Sequence, residues 1–346
     1  MQGTFEDGVV RVGGDARQRF YDARGYGRPL SGNRIELAPV EAAHLLFRGD
    51  LDAVVAGDDE LDFREFLVAT DTVLRFVVYK DLRDRGFYLS PAREGWVDDP
   101  EGIDFAVFPR GSGPEDDEVA YRIRVAGERE TIPAAALGDI TLAVVDEEGE
   151  LTYLETGRPD ASGETDDPGE RYESPTGLDA ALLADRAVVW DPPTDLHDRG
   201  FYGQRLEGRN AESGPLQLSL VEAAYLARRG ALDLAEPRVV DRGRAVEGER
   251  FDRRLRAYAA LRAAGSVPKS GFKFGADFRT YDAFRSVEEM DHSTRLIRVV
   301  SPDHTFLPRD LSLDVRLAGG VRKRMVFALT DVNEGIDWLS VARLTP

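Results

Sequence analysis

Tyr281, His292 and Lys323 place a phenol, an imidazole and an ammonium in one stretch of chain. Such a set can supply a proton acceptor, a proton donor and a positive clamp for developing negative charge. A phenol of pKa ~10 accepts a proton reluctantly at neutral pH, and nearby cations favour its ionised form. An imidazole of pKa ~6.5 suits acid work there. Taken singly, each residue has an ordinary explanation. Tyr281 ends a strand-like run, His292 lies in the acidic EEMDHS, and Lys323 lies in the polar VRKR. What singles them out is a comparison within the chain, because the matching positions of an earlier segment hold Phe108, Glu118 and Gly138.

That comparison rests on a repeat. VEAAHLLFRG at Val40–Gly49 matches VEAAYLARRG at Val221–Gly230, and DARGYG at Asp22–Gly27 resembles DRGFYG at Asp198–Gly203. VYKDLRDRG at Val78–Gly86 lines up with AYAALRAAG at Ala257–Gly265, and IDFAVF at Ile103–Phe108 with ADFRTY at Ala276–Tyr281. ITLAVVDEEGELTYL at Ile140–Leu154 lines up with the segment from Met325. The order is kept throughout, which implies tandem duplication.

The elements follow from this frame. The sequence reads as α+β, each repeat being an N-terminal α+β unit followed by a unit with a mixed sheet. The expected divisions are 1–71, 72–156, a Gly-, Pro- and acid-rich linker at 157–177, 178–248 and 249–346. Helices are expected over Asp62–Arg85 and Arg250–Ala264, with Leu255, Tyr258, Leu261 and Arg262 forming an apolar stripe with an Arg edge. Gly86 and Gly265 suit the position that ends a helix. Alternating residues such as Tyr121, Ile123 and Val125 predict strands. The apolar strands Leu151–Glu155 and Trp338–Leu344 present edges whose pairing would join the repeats.

Composition removes several chemistries. Across 346 residues there is no cysteine, so disulfides and thiol catalysis are excluded. No run of 18 apolar residues occurs, and the start MQGTFEDGVV lacks a basic-then-apolar leader, so a cytoplasmic protein without membrane contact is expected. The net charge is −19, and lysine occurs only at Lys80, Lys269, Lys273 and Lys323. Such acidity argues against polyanion partners in dilute buffer. At molar salt the Debye length is only ~3 Å, so local contacts decide, and an acidic, lysine-poor surface fits a salt-rich cell.

GFKFGADFRTY at Gly271–Tyr281, then His292, then GGVRKRMVFAL at Gly319–Leu329 resembles the archaeal tRNA-splicing endonuclease family. VVYKDLRDRGFY at Val77–Tyr88 is similar to its signature helix. The resemblance spans both repeats and is to the homodimeric, two-repeat, haloarchaeal-like form. It implies a catalytic unit of the tRNA-intron endonuclease type at 249–346 and a non-catalytic counterpart at 72–156. It also implies cleavage of precursor tRNA at bulge–helix–bulge motifs, without a metal or other cofactor, leaving 2′,3′-cyclic phosphate and 5′-hydroxyl ends. By motif position Tyr281 would take the 2′-hydroxyl proton, His292 would protonate the leaving oxygen and Lys323 would steady the phosphorane. Arg316, seven residues before Lys323, would stack on a bulge base; without the resemblance it reads as a strand-surface charge.

The resemblance further implies a homodimer in which an acidic loop enters a basic cleft of the partner. Asp146, Glu147, Glu148 and Glu150 would form the loop, where the second repeat has DVNEG. Lys269, Lys273 and Arg279 would form the cleft. Two other readings remain at this level. One is a metal-dependent DNA nuclease built on Asp277, although its counterpart Asp104 persists in the repeat without the triad, which suggests a structural aspartate. The other is a non-catalytic RNA-binding subunit.

Overall fold

Ten strands hydrogen-bond into one mixed sheet shared by both halves of the chain. The computed structural model describes residues 1–114, 116, 118–161, 172–208, 211, 213–331 and 335–346. Most of the expected linker, and the centre of the DVNEG turn, therefore lie outside the described residues. The first half contributes β1 (Leu89–Pro91), β2 (Phe105–Val107), β3 (Tyr121–Gly127), β4 (Thr141–Val145) and β5 (Leu151–Gly157). The second half contributes β6 (Val267–Ser270), β7 (Phe278–Tyr281), β8 (Arg295–Val300), β9 (Arg324–Leu329) and β10 (Asp337–Leu344). The strand order is β6-β7-β8-β9-β10-β5-β4-β3-β2-β1. In each half the third and fourth strands run parallel and all other neighbours antiparallel. The edge strands read from the sequence do pair, β5 with β10, from Tyr153↔Leu344 to Gly157↔Ser340.

Eight α-helices surround the sheets among the described residues: α1 (Pro39–Phe47), α2 (Phe63–Thr70), α3 (Val73–Asp84), α4 (Thr194–Asp198), α5 (Leu220–Arg228), α6 (Glu236–Glu247), α7 (Arg250–Ala263) and α8 (Pro308–Gly320). The single helix expected over Asp62–Arg85 is broken. Asp71 adopts left-handed φ 48°, and the Thr70 hydroxyl bonds the Phe66 carbonyl at 2.8 Å and the Thr72 hydroxyl at 2.9 Å. Short polar side chains here compete with the helix ladder, although the apolar period continues past them. A six-stranded sheet, including Val9–Val12 and Ile35–Leu37, packs with α1 and α2; a four-stranded sheet, including Arg186–Val189 and Leu216–Ser219, packs with α5.

Strands β8 and β9 read RLIRVV and RMVFAL and are covered on both faces. On one face Phe278, Ile297 and Val326 pack with Phe251, Leu255 and Tyr258 of α7. On the other, Leu296, Met325 and Phe327 pack with Leu311, Val315 and Ala318 of α8. Each fully buried side chain of this kind stabilises the fold by about 1.5–3 kcal/mol. The parallel β8–β9 pair requires a crossover, which α8 makes; between β3 and β4 the only helical element is the turn Ala134–Ala136. Arg316 therefore lies exposed on a helix, not on a strand surface, and the first half has no comparable helix to carry it.

Register places the two halves in correspondence. Phe105 pairs with Ile123, which pairs with Thr141; Phe278 pairs with Ile297, which pairs with Val326. Counting along each strand sets Phe108, Glu118 and Gly138 opposite Tyr281, His292 and Lys323. Asp104 and Asp277 correspond as well. Each carboxylate accepts a backbone N–H, from Val125 at 2.7 Å and from Val299 at 2.8 Å. Asp104 pairs with Arg75, and Asp277 with Arg250 and Arg254. These are structural aspartates that tie the opening helix of each unit to its sheet.

Candidate active site

Three strand ends converge where the sequence placed its three chemical groups. Thr280 pairs with Arg295, and Arg295 with Arg324, in one row across β7, β8 and β9. Tyr281 follows that row, His292 precedes it by three residues and Lys323 by one. The segment between is stitched in place on both sides, because Thr294 N–H donates to the Thr280 carbonyl at 3.0 Å and Arg324 N–H to the Thr294 carbonyl at 3.1 Å. Neighbouring strands lie ~4.8 Å apart, so the row spans only about 10 Å, within reach of long side chains.

The three groups meet different surroundings. Tyr281 is buried, its ring 5.5 Å from Phe201 in an edge contact and beside Val267 and Phe284. The Arg279 guanidinium lies 5.7 Å from the same ring. His292 is exposed. Lys323 is half-buried and donates to the Ser293 carbonyl at 2.5 Å, which draws the ammonium to the residue beside His292. Burial, then the charge of Arg279, holds the Lys323 ammonium below its ordinary pKa.

Behind the row lies a buried network that sequence reasoning missed. Asp282 pairs with Arg295 at 2.8 Å and accepts from Ser266 at 2.6 Å and from the Thr294 hydroxyl. Arg295 also donates to the Ser266 hydroxyl at 2.8 Å. This locks the loop after Tyr281 to the strand after His292. A signal existed, since the register sets Tyr121 and Pro109 opposite Arg295 and Asp282.

The equivalent place in the first half is closed. Gly138 adopts φ +121°, and a Cβ there would sit 2.4 Å from Nε of Arg158. Arg158 itself pairs with Asp337 and donates to the carbonyls of Ala134, at 3.0 Å, and Leu137. A lysine here would take a strained backbone conformation and would require Arg158 to move.

Comparisons with known proteins identify the family. A profile described as the catalytic C-terminal domain of tRNA intron endonuclease matches residues 251–338, and one described as its N-terminal domain matches residues 1–67 and 178–241. Proteins named tRNA-splicing endonuclease are similar over the full length of both chains: 65% identical in Haloferax volcanii and 56% in Haloarcula marismortui. One from Methanosarcina acetivorans is 35% identical over 99% of each chain. The chain belongs to the tRNA-splicing endonuclease family. It is an enzyme of that class, with a mixed α/β fold that combines the family's N-terminal and catalytic domains, and the high-identity relatives are haloarchaeal.

The remaining residues singled out for the family's site fall in several places. Arg316 projects from α8, whose C-terminal end meets the strand start through Lys323 N–H to the Ala318 carbonyl at 2.9 Å. Asp146, Glu147, Glu148 and Glu150 form the β4–β5 turn in the other half. There Asp146 accepts from the N–H groups of Glu148 at 2.9 Å and Glu150 at 2.8 Å, so its carboxylate holds the turn; Glu147 pairs with Arg129, and Glu148 and Glu150 are exposed. Lys269 lines a cavity with Arg186, Arg254 and Arg279. Its ammonium is engaged within the chain, 2.8 Å from Glu222 and 3.0 Å from the carbonyls of both Phe201 and Gly203. Three donors meet three acceptors, which leaves nothing for a partner's carboxylate. Lys273 is exposed in the Phe272–Phe274 turn, and Arg279 is half-buried. Among the described residues no helix is long and apolar enough to cross a membrane.

Proposed function

We propose that this chain excises introns from precursor tRNA by cutting bulge–helix–bulge RNA without a metal, leaving 2′,3′-cyclic phosphate and 5′-hydroxyl ends. The observation that supports this most is the single row Thr280–Arg295–Arg324, which gathers Tyr281, His292 and Lys323 at one end of the sheet. Tyr281 takes the proton of the 2′-hydroxyl, whose oxygen attacks the adjacent phosphorus. His292, the exposed group, gives a proton to the departing 5′-oxygen. Lys323 faces the negative charge that gathers on the phosphorane oxygens. Arg316 stacks on a flipped bulge base.

The matching strand order and register support a tandem duplication in which 72–156 became scaffold and 249–346 kept the chemistry, with 1–71 and 178–248 as the N-terminal units. We further propose a cytoplasmic homodimer in which Glu147 and Glu148 approach the partner near Lys273 and Arg279. Two sites per dimer then face two bulges.

The test is incubation of the purified chain with bulge–helix–bulge RNA in high salt and EDTA, followed by end-group analysis. Cleavage with cyclic-phosphate ends is expected, falling ~10²–10⁴-fold in His292→Ala and Lys323→Ala while RNA binding is kept. Near-wild-type rates in both variants remove the assignment.

A further inference from the structure

A cavity of about 320 Å³ opens between the N-terminal unit of the second half and the C-terminal end of α7. Its lining is unusual for so acidic a chain. Tyr202 and Tyr225 lie 6.4 Å apart at 23° between ring planes, and Arg199, Arg229 and Arg262 share the wall. The Arg262 guanidinium stands 4.0 Å from the Tyr202 ring centroid, and Arg229 lies 5.7 Å from that of Tyr225. Arg262 donates to the Tyr258 hydroxyl at 3.0 Å and to the Gly200 carbonyl at 2.8 Å. Both acceptors are neutral, so its charge stays uncompensated at contact distance. Arg229 is exposed, and no carboxylate pairs with it among the described residues. Arg199 is exposed at the rim, 4.0 Å from Asp195.

The first half gives an internal control. The positions matching Arg199, Tyr225 and Ala231 are Ala23, His44 and Asp50. There Asp50 pairs with Arg48, the counterpart of Arg229, at 3.2 Å, and with Arg24 at 2.7 Å. The ring at position 44 is buried and bonded to the Tyr26 hydroxyl at 2.8 Å. In the second half the buried His44 and the Arg48–Asp50 pair are thus replaced by Tyr225, half-exposed, and by Arg229, which has no carboxylate partner among the described residues.

The cavity also lies at the correct end of the sheet. Ser266 and Val267 line it. Val267 pairs with Tyr281, and the Ser266 hydroxyl belongs to the Asp282–Arg295 network behind the strand row. One strand separates the cavity from the proposed attacking site.

We propose that this cavity binds a nucleotide of the same RNA substrate, its base stacked on Tyr225 and its phosphate held by Arg199 and Arg229. The volume suits one nucleotide, and aromatic stacking beside arginine is the chemistry that holds an unpaired base and its phosphate. The inference rests on the RNA-cleaving reading above and adds a recognition site to it.

The test measures binding apart from cleavage. Dissociation constants are taken for bulge–helix–bulge RNA carrying 2′-deoxynucleotides at both cut linkages, over a range of KCl concentrations. Arg199→Glu/Arg229→Glu is expected to weaken binding at least about tenfold and to flatten the slope of log Kd against log salt by about two. Tyr225→Ala is expected to cost about tenfold, while Tyr225→Phe stays within about twofold and serves as the folding control. Unchanged affinity in the double-arginine variant overturns the proposal. So does a loss of dimer in that variant by light scattering, which would make the cavity a protein contact. Cleavage of ordinary RNA by the wild-type chain is read in parallel. Its absence with the affinity pattern intact sinks the proposed reaction and leaves the cavity assigned; its presence with flat affinities does the reverse.

Discussion

Lys269→Met should turn one buried carboxylate into a copy of another. Glu41 and Glu222 occupy the same place in the two halves, three residues into α1 and α5; Glu222 closes a capping box with Ser219, while Glu41 reaches back to the N–H of Ala38. Glu41 accepts from the N–H groups of Gly27 at 2.7 Å and Ala38 at 2.9 Å; Glu222 accepts from those of Gly203 at 3.1 Å and Ser219 at 3.0 Å. Both are buried. The charged difference is Lys269, whose place in the first half is held by Ser90; the Ser219 hydroxyl also donates to Glu222 at 3.0 Å, where the first half has Ala38. Burial pushes Glu41 up to about 7, and its two N–H donors only moderate this. Burial pushes Glu222 up as well, but the Lys269 ammonium, as charge and as donor, reverses the effect and holds the carboxyl at about 2. Lys269 is held below its ordinary pKa by the same burial, so part of the pair's attraction offsets the cost of enclosing the lysine.

The signs follow from linkage. Glu222 is depressed below the ordinary 4.5, so its contribution is present above pH 4.5 and lost as pH falls toward 2. Glu41 is raised, so stability is fullest below pH 4.5 and is lost as pH rises through about 7. At 1.36 kcal/mol per pKa unit, each shift of about 2.5 units corresponds to about 3 kcal/mol in opposite directions. Removing the ammonium moves Glu222 from the first behaviour to the second. The relieved burial of the lysine offsets part of the loss, and breaking a buried pair typically costs about 3–5 kcal/mol. The pH signature is sharper than the total. Urea melts of variant and wild type, compared at each pH to cancel Glu41, should show the variant about 2–3 kcal/mol worse at pH 8 than at pH 5. Adding Glu222→Gln should remove that slope. A variant-minus-wild-type difference that is flat from pH 5 to 8 would refute the assignment of the shift to Lys269.

Other outcomes are expected from the same structure. Asp277→Asn leaves Arg250 and Arg254 without their carboxylate and should cost about 3 kcal/mol by urea melt; where the variant is folded, its cleavage rate in EDTA should stay within a few-fold of wild type, and a loss of orders of magnitude would restore a catalytic aspartate. Arg316→Glu, on the exposed face of α8, should leave stability within about 0.5 kcal/mol but lower the cleavage of bulge–helix–bulge RNA more than about tenfold. Glu147→Lys/Glu148→Lys should give monomers by light scattering without unfolding the turn, because Asp146 alone accepts its N–H groups; an intact dimer would contradict the interface.

The sequence carried the paired positions well and the individual charges poorly. Phe108 against Tyr281 was legible because a repeat and a strand register impose the same spacing, and both keep Asp104 and Asp277 as fixed marks. Helix α8 escaped because the first half crosses between its parallel strands with only Ala134–Ala136, so the repeat comparison had nothing to set beside PRDLSLDVRLAGG. The ion pair of Lys269 was not legible because its sign was visible and its burial was not; the acid it bonds lies 47 residues earlier in the chain. The break at Asp71 was hidden because an apolar period can pass through a change of helix axis.

The contrasts between the halves also bear on how so acidic a chain meets RNA. Against Glu118, Asp50, Ala23, Ala106 and Gly138 in the first half stand His292, Ala231, Arg199, Arg279 and Lys323 in the second. Each substitution makes the surroundings of one sheet end more positive, and the net of −19 belongs to the whole surface. In dilute buffer that surface repels a polyanion over tens of ångströms; at molar salt the reach of any charge shrinks to ~3 Å. Only groups that touch the phosphate or stack on the base then count. Each cation that touches a phosphate adds about one to the salt slope of binding through counterion release, so the fall in affinity is set by the few phosphates touched, whereas a base stacked on a ring keeps its contact as salt rises. Cleavage by this enzyme should therefore persist into molar KCl with a log–log salt slope no steeper than the few phosphates touched, and a much steeper fall would mean that many distant charges, rather than the contacts at this sheet end, hold the RNA.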